Sequence, residues 1–391
     1  MSILAGPVAF IDDELERDGS QAYQLLQDIR ATGRPVASAT GLPQDPEAWI
    51  EQWQSLAFVV VDWDLSPNSG GSTGASELGQ FARESLFQFV RLLMDRVFCP
   101  IFIISAEDTN DIIRQLRENG RLLTQAGNLD PRINVFAKDV LMGKLIEHLE
   151  DQIRSSPSLS ALKAWEAGYD SAKNRLFVEL NQMEPDWPAY IWKTAVADSV
   201  DPSHELASVI SANLLSRFDP VLFDGDAITS VAASTNAAAR AVLHGRTFVG
   251  VGQLPASMVM PGDLFRLDAD GQEIWMNVSP ACQTVGRSGE PIRLHLLRGS
   301  KVDRPASQGA FKTLVHNHES PNKILIHTLI DEDPYVFEFG RAQFSLWEDI
   351  RESRIGRLLP PYVTRVQQMH GSYIQSEGLP RVSASLYLGD S

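Results

Sequence analysis

A chain of 391 residues is longer than one ordinary hydrophobic core serves, so two or three domains are expected. Hydrophobic residues make up 43% and charged residues 21%, a balance that excludes an intrinsically disordered chain. The net charge of −16, from 34 basic and 50 acidic side chains, repels phosphate backbones and anionic lipids, so neither nucleic acid nor a membrane is expected as partner.

Residues 1–155 hold 23 acidic and 13 basic side chains and the remainder 27 and 21, so the acidity leans toward the N-terminal part. Cys99 and Cys282, far apart, offer neither a disulfide framework nor a paired zinc-ligand spacing. The opening MSILAGPVAFIDDE has no basic leader, and no apolar run reaches the roughly 20 residues of a membrane span. A cytoplasmic location is expected.

In chain order, apolar runs at Val8 to Ile11, Phe58 to Val61 and Pro100 to Ile104 each end in a polar residue. They are continuous rather than alternating, as strands buried on both faces are. Helical stretches separate them at Ser20 to Arg30, Glu77 to Val97 and Asn110 to Gln125. A fifth strand is expected at Ile133 to Ala137, then a helix with Leu141, Leu145, Leu149 and Ile153 on one face. The alternation predicts an α/β fold, a doubly wound, five-stranded parallel sheet of the flavodoxin-like type over residues 1–155.

Ser155-Ser156-Pro157-Ser158 breaks the pattern. Residues 156–220 read as a helical connector, with helices at Leu159 to Met183, Ala189 to Asp198 and Ser203 to Phe218. Over 221–391 the texture turns to short runs, Thr247 to Val251, Leu264 to Leu267, Ile274 to Val278 and Ile292 to Leu297, punctuated by Pro261-Gly262-Asp263 and Asp270-Gly271. That spacing predicts a β-rich domain, a small barrel or sandwich. A helical tail from about Arg341 to Gln375, interrupted by Pro360-Pro361, closes the expectation.

The chemistry rests on which polar residues follow the apolar runs. Asp12, Asp13 and Glu14 follow the first, Asp62 the middle one, Ser105 the next and Lys138 the last. In a parallel sheet the carboxyl ends of the strands line one rim, where ligands bind, so these residues are expected to converge there. Carboxylates about 4 Å apart repel by about 4 kcal/mol per pair at an effective dielectric near 20, so such a cluster calls for a cation. Mg²⁺ suits it, because it takes oxygen ligands from a few carboxylates and accepts phosphoryl oxygens in its remaining positions. A carboxylate can then accept a phosphoryl group, with Lys138 as point charge and Ser105 as hydrogen-bonding hydroxyl.

IDDE at 11–14, DWDLSP at 62–67, SAED at 105–108 and Lys138 after NVFA together resemble the receiver domain of two-component response regulators. The resemblance covers about 40% of the chain. It implies Asp62 as phosphoacceptor, Asp12 and Asp13 as metal carboxylates, and Asp64 as the donor of a backbone carbonyl to Mg²⁺. It further implies Ser105 as switch hydroxyl, Lys138 as the phosphate-contacting lysine, and a histidine kinase or phosphotransfer protein as partner. Receivers with unassigned C-terminal regions also resemble components of bacterial phage-defence phosphorelays.

The chain departs from the family pattern in four places. Ser66 precedes Pro67, Asp139 follows Lys138, the interval from Asp62 to Ser105 is long, and Val135 stands at the switch-aromatic position with Phe136 one place off. These bear on the conformational switch more than on the metal site.

Other readings stay open. The acidic cluster is also compatible with solvated loop carboxylates, with a receiver fold that no longer takes phosphate, or with Asp64 as the modified residue. Ser69 to Gly74 lacks the lysine ending of a P-loop. His316 and His318 read as loop histidines, and Cys282 as a small buried cysteine. A rival reading makes the C-terminal part a hydrolase, with Cys282 as nucleophile and His295 or His327 as base, regulated by the receiver. The Leu141 to Ile153 face is open to two roles, packing on the sheet or pairing two copies as a homodimer.

Overall fold

The structure, a computed structural model, describes residues 4–53, 55–65, 75–118, 122–124, 127–221, 223, 225–229, 235–267, 273–287 and 290–376. The chain forms two compact units, Met1–Glu179 with Asn213–Ala232, and Leu180–Ala212 with Ala233–Ser391.

In the first unit, β1 (Val8–Ile11), β2 (Val36–Ala39), β3 (Phe58–Asp62), β4 (Ile101–Ser105) and β5 (Ile133–Ala137) form a wholly parallel sheet in the order β2-β1-β3-β4-β5. This is the expected fold class and is receiver-like in topology. Among the described residues, six helices separate or follow the strands before the polar break: α1 (Gln21–Ala31), α2 (Pro46–Glu51), α3 (Ala75–Arg96), α4 (Thr109–Glu118), α5 (Lys138–Leu141) and α6 (Leu145–Arg154). Their starts follow local chemistry. The Ser20 hydroxyl caps α1 by accepting the Tyr23 N–H, and Asp45 caps α2 by accepting that of Ala48.

Both sheet faces are covered, which explains the continuous apolar runs. Val59 and Val61 face one core with Phe89 and Leu93 of α3, while Phe58 and Val60 face the other with Leu25 and Ile29 of α1. Leu141, Leu145, Leu149 and Ile153 are all buried in that second core, so the stripe packs on the sheet and is not available for pairing copies. The helix expected there is two helices, because Gly143 adopts a left-handed φ of +72° that interrupts it. The strand β2 was not singled out from sequence, being an edge strand of small, half-exposed residues.

The first unit runs past the break expected at residue 155. In α7 (Pro157–Met183), Leu159 joins the core of Leu4, Ala57 and Ile153, and the buried Lys163 ammonium donates to Leu56 O at 3.3 Å and pairs with Glu166 at 2.5 Å. Gly168 lets Phe218 and Val221 approach, since a Cβ there would lie 3.1 Å from Val221 Cγ2. Leu176 is buried, whereas Trp165 is half-exposed and stacks between Tyr169 and Phe218. The chain continues through α8 (Trp187–Ala197), α9 (Pro202–Ser216), α10 (Gly225–Thr229) and α11 (Asn236–Thr247).

The second unit is built on β6 (Phe248–Gly250), β7 (Asp263–Phe265), β8 (Glu273–Asn277), β9 (Arg293–Lys301), β10 (Lys323–Ile326), β11 (Tyr335–Leu346) and β12 (Arg354–Leu358). They form one antiparallel sheet in the order β10-β11-β9-β8-β7-β12-β6, curled into a half-barrel. Helix α12 (Gln308–His318) precedes β10, and α13 (Trp347–Ile350) follows β11. Val363 and Val366 of α14 (Tyr362–Gln375) pack on one sheet face with Leu297 and Phe337, and Trp347 and Ile350 pack on the other with Phe265 and Leu296.

The helical tail expected from Arg341 is corrected here, because Arg341 to Leu346 and Arg354 to Leu358 are strand, and the helical parts are the short α13 between them and Tyr362–Gln375. The charged residues that gave those strands a surface texture are neutralised within the fold. Arg354 and Arg357 both bind the fully buried Asp263 of β7. Among the described residues, no helix is long and apolar enough to cross a membrane.

Candidate functional site

The carboxyl rim of the parallel sheet gathers the residues that follow its apolar runs. Asp12 extends β1, its N–H donating to Ala39 O at 3.0 Å. Asp62 is the last residue of β3 and pairs in register with Ile104, so Ser105 stands one step further along the neighbouring strand. Ser105 in turn pairs with Ala137, and Lys138 follows Ala137 as the first residue of α5. Parallel strands in this register end together, which delivers four polar side chains to one rim.

All four are nearly inaccessible, with exposures of 0% for Asp12, 4% for Asp62, 1% for Ser105 and 6% for Lys138. The Lys138 ammonium sits between two carboxylates, 2.8 Å from Asp12 Oδ2 and 3.0 Å from Asp62 Oδ2. It donates a hydrogen bond to Asp62, and its closer approach to Asp12 Oδ2 is an ion pair in which that buried oxygen meets the ammonium alone among the described residues. The other Asp12 oxygen accepts the Glu14 N–H at 2.9 Å. Asp13, half-buried, completes a group of three carboxylates with one oxygen each within 4.8 Å of one another.

Three carboxylates around one ammonium leave the cluster short of positive charge. Burial first, and then the neighbouring Asp12 charge, push the Asp62 carboxyl up to about 7, against the opposing pull of Lys138. Asp13 is raised for the same two reasons. Burial works against the Lys138 charge, yet Asp62 and Asp12 outweigh it and hold the ammonium above its ordinary value. An all-oxygen donor set of three carboxylates answered by one ammonium fits a hard divalent cation such as Mg²⁺.

The structure brings Asp12, Asp13, Asp62 and Lys138 together and places Ser105 on the same rim. Ser105 Oγ accepts the Glu107 N–H at 2.9 Å. Asp64 is exposed, two residues beyond Asp62, and its carboxylate is not one of the three gathered. Ser66, Pro67 and the Ser69 to Gly74 segment lie outside the described residues. Phe136, one place from the family's aromatic position, packs on Phe102 with ring centroids 6.1 Å apart, while Val135 packs in the opposite core.

Neighbours that sequence reading did not single out surround the rim. Trp63, directly after Asp62, is 2% exposed with its Nε1–H donating to no partner among the described residues, and Arg83 of α3 lies 5.5 Å above its ring. Arg83 also reaches Glu107 at 3.9 Å. No periodicity announces this arrangement, since α3, β3 and the loop after β4 meet only in the fold.

The residues weighed for a second site are placed differently. Cys282 is exposed rather than buried, and lines an open pocket of about 480 Å³ with Ile292, Arg293 and Phe344. Of the two proposed bases, His295 touches a residue of that pocket's wall, Phe344. His295 stacks on Phe344 and meets His370, and His327 stands by Phe311 and Glu319. His316 and His318 sit in the last turn of α12, not in a loop, and alternate positions on a helix do not share a face. No protein-family model matches the chain, and no curated protein matches it.

Proposed function

We propose that Asp62 is the phosphoacceptor of a two-component signalling protein, taking its phosphoryl group from the phosphohistidine of a histidine kinase or phosphotransfer protein. The observation that carries this reading is the Lys138 ammonium held between Asp12 and Asp62, with Asp13 beside them, at the carboxyl rim of a sheet ordered 2-1-3-4-5.

In the transfer, an Asp62 oxygen forms a bond to phosphorus as the P–N bond breaks, and the imidazole nitrogen keeps the electron pair. Asp62 attacks in its ionised form, whose share near neutral pH its raised value lowers and added positive charge would restore. Asp12, Asp13 and Asp62, with the Asp64 backbone carbonyl, would hold Mg²⁺, which would supply positive charge to the transferring oxygens. Lys138 already touches an Asp62 oxygen and is placed to follow the charge onto the phosphoryl group. Ser105 carries a hydroxyl whose proton is not committed by its bond to Glu107, because there the oxygen accepts. The added dianion then biases the loop after β4, and the output passes to the antiparallel unit without contact to DNA.

Incubation with acetyl phosphate and Mg²⁺, read by intact mass, tests the proposal. The wild-type chain is expected to gain about 80 Da, the mass of one phosphoryl group in place of a proton, and Asp62→Ala to gain nothing. An equal gain in Asp62→Ala, or none in the wild type, refutes it.

A further inference from the structure

Among the described residues, the sheet of the second unit has an edge that its strands leave open. Strand β10 pairs with β11 only through Tyr335–Glu338, and Phe339 N–H still donates to Asn322 O at 2.9 Å. From Ala342 to Leu346, β11 has β9 on one side and, among the described residues, no strand on the other.

The direction of the free groups follows from alternation. Trp347 N–H donates to Ile292 O, on the β9 side, so Ser345 and Gln343 turn their backbone groups toward β9 as well. Ala342 and Phe344 therefore turn theirs outward. Both residues are exposed, Phe344 by 66%. Folded proteins usually blunt such an edge with lysine, proline or a cover, yet Ala342 to Leu346 contains neither lysine nor proline. The flanking Arg341 is held by Glu338 at 2.7 Å.

We propose that a second copy of this chain adds its β11 to this edge, antiparallel, about a twofold axis at Gln343. With outward groups on Ala342 and Phe344, that axis sets Ala342 opposite the partner's Phe344, and the two pairs exchange four main-chain hydrogen bonds. The side chains complement themselves under the same operation. A small alanine lies beside a large ring, Gln343 meets its own amide, and Arg341 falls opposite the partner's Ser345 rather than another charge. This self-complementarity of the uncharged Ala342 to Leu346 stretch favours a second copy over an unrelated strand. The contact is shorter than the roughly 800 Å² per partner of a standard interface, so the dimer is weak and concentration-dependent.

Sedimentation velocity of the full chain over about 1–500 µM tests this, a range chosen for a contact below standard size. The mass is expected to rise from the single-chain 43.2 kDa toward twice that value. Ala342→Pro removes only an outward N–H and is expected to keep the fold while raising the apparent dissociation constant at least about tenfold. Phe344→Lys, which keeps the backbone donors and brings two ammonium groups together across the axis, has the same expected effect. Exchange protection of the Ala342 and Phe344 amides is expected to rise with concentration. A mass fixed at 43.2 kDa, both variants associating like the wild type, or protection independent of concentration each overturns the proposal.

Discussion

Two buried carboxylates, Asp62 in the parallel-sheet unit and Asp263 in the antiparallel one, are answered in opposite ways by their surroundings. Asp263 accepts from Arg357 at 2.6 and 3.2 Å and from the Met260 N–H at 2.9 Å, with Arg354 at 3.5 Å. Arg354 goes on to donate to the carbonyls of Met258 and Pro255, both at 2.7 Å, and lies over the Trp347 ring. Two guanidinium groups and a backbone donor thus serve one acid, which ties β7, β12 and the preceding loop together. At the rim of the other sheet, three acids share one ammonium. A network that completes itself stabilises a fold, whereas one left short of positive charge is a place for a ligand.

The sharpest way to break this contrast is to remove each acid. Asp263→Ala strands two guanidinium groups in the interior and is expected to cost about 3–5 kcal/mol in urea unfolding. Asp62→Asn is expected to act in the other direction at pH 8, raising stability by roughly 1–3 kcal/mol, since it relieves repulsion and desolvation while Lys138 keeps Asp12. Equal losses in both variants would remove the distinction between the two sites.

The pH dependence sharpens it further. With Asp62 raised from 3.8 to about 7, the folded chain binds one more proton than the unfolded chain between those values, so stability falls as pH climbs through that window. Mg²⁺ compensates for the missing charge only where Asp62 is ionised. The rise in melting temperature on adding Mg²⁺ is therefore expected to be larger at pH 8 than at pH 5.5, corresponding to about 2.7 kcal/mol at a hundredfold excess over Kd. Asp62→Asn should flatten both the pH slope and the Mg²⁺ response.

Smaller effects are expected away from the rim. Lys163 reaches Leu56 O at the amino end of β3, opposite Asp62, and Lys163→Ala should cost about 1–2 kcal/mol by chemical denaturation while leaving phosphoryl uptake intact. Arg83→Gln, which removes an exposed pair with Glu107 and the contact over Trp63, should cost less than about 1 kcal/mol.

The rim was legible before the fold because of how parallel sheets are built. A strand buried on both faces is a continuous apolar run, and the residue that ends the run is the residue at the rim, so Asp12, Asp62, Ser105 and Lys138 could be read directly. The antiparallel unit hid more. Arg354 and Arg357 made β12 look like surface, since the acid that buries them is some 91 and 94 residues away. The long β11 was partly mistaken for helix, and its exposed second half lacks the buried alternation that marks a strand. Cys282 gave no sign of its exposure, and the break at Gly143 was overridden by an unbroken leucine stripe.

The amino-acid sequence by itself determined the parallel sheet, the identity of the rim residues and the excess of acid over base among them, because each depends on local composition and the period of burial. Only the tertiary structure decided that Lys138 divides its charge between Asp12 and Asp62, that Asp263 is saturated by two arginines, and that the second half of β11 has, among the described residues, a strand on one side alone. Those are distances between residues far apart in the chain, and Coulomb energies and hydrogen bonds depend on distance and burial, which no run of neighbours specifies.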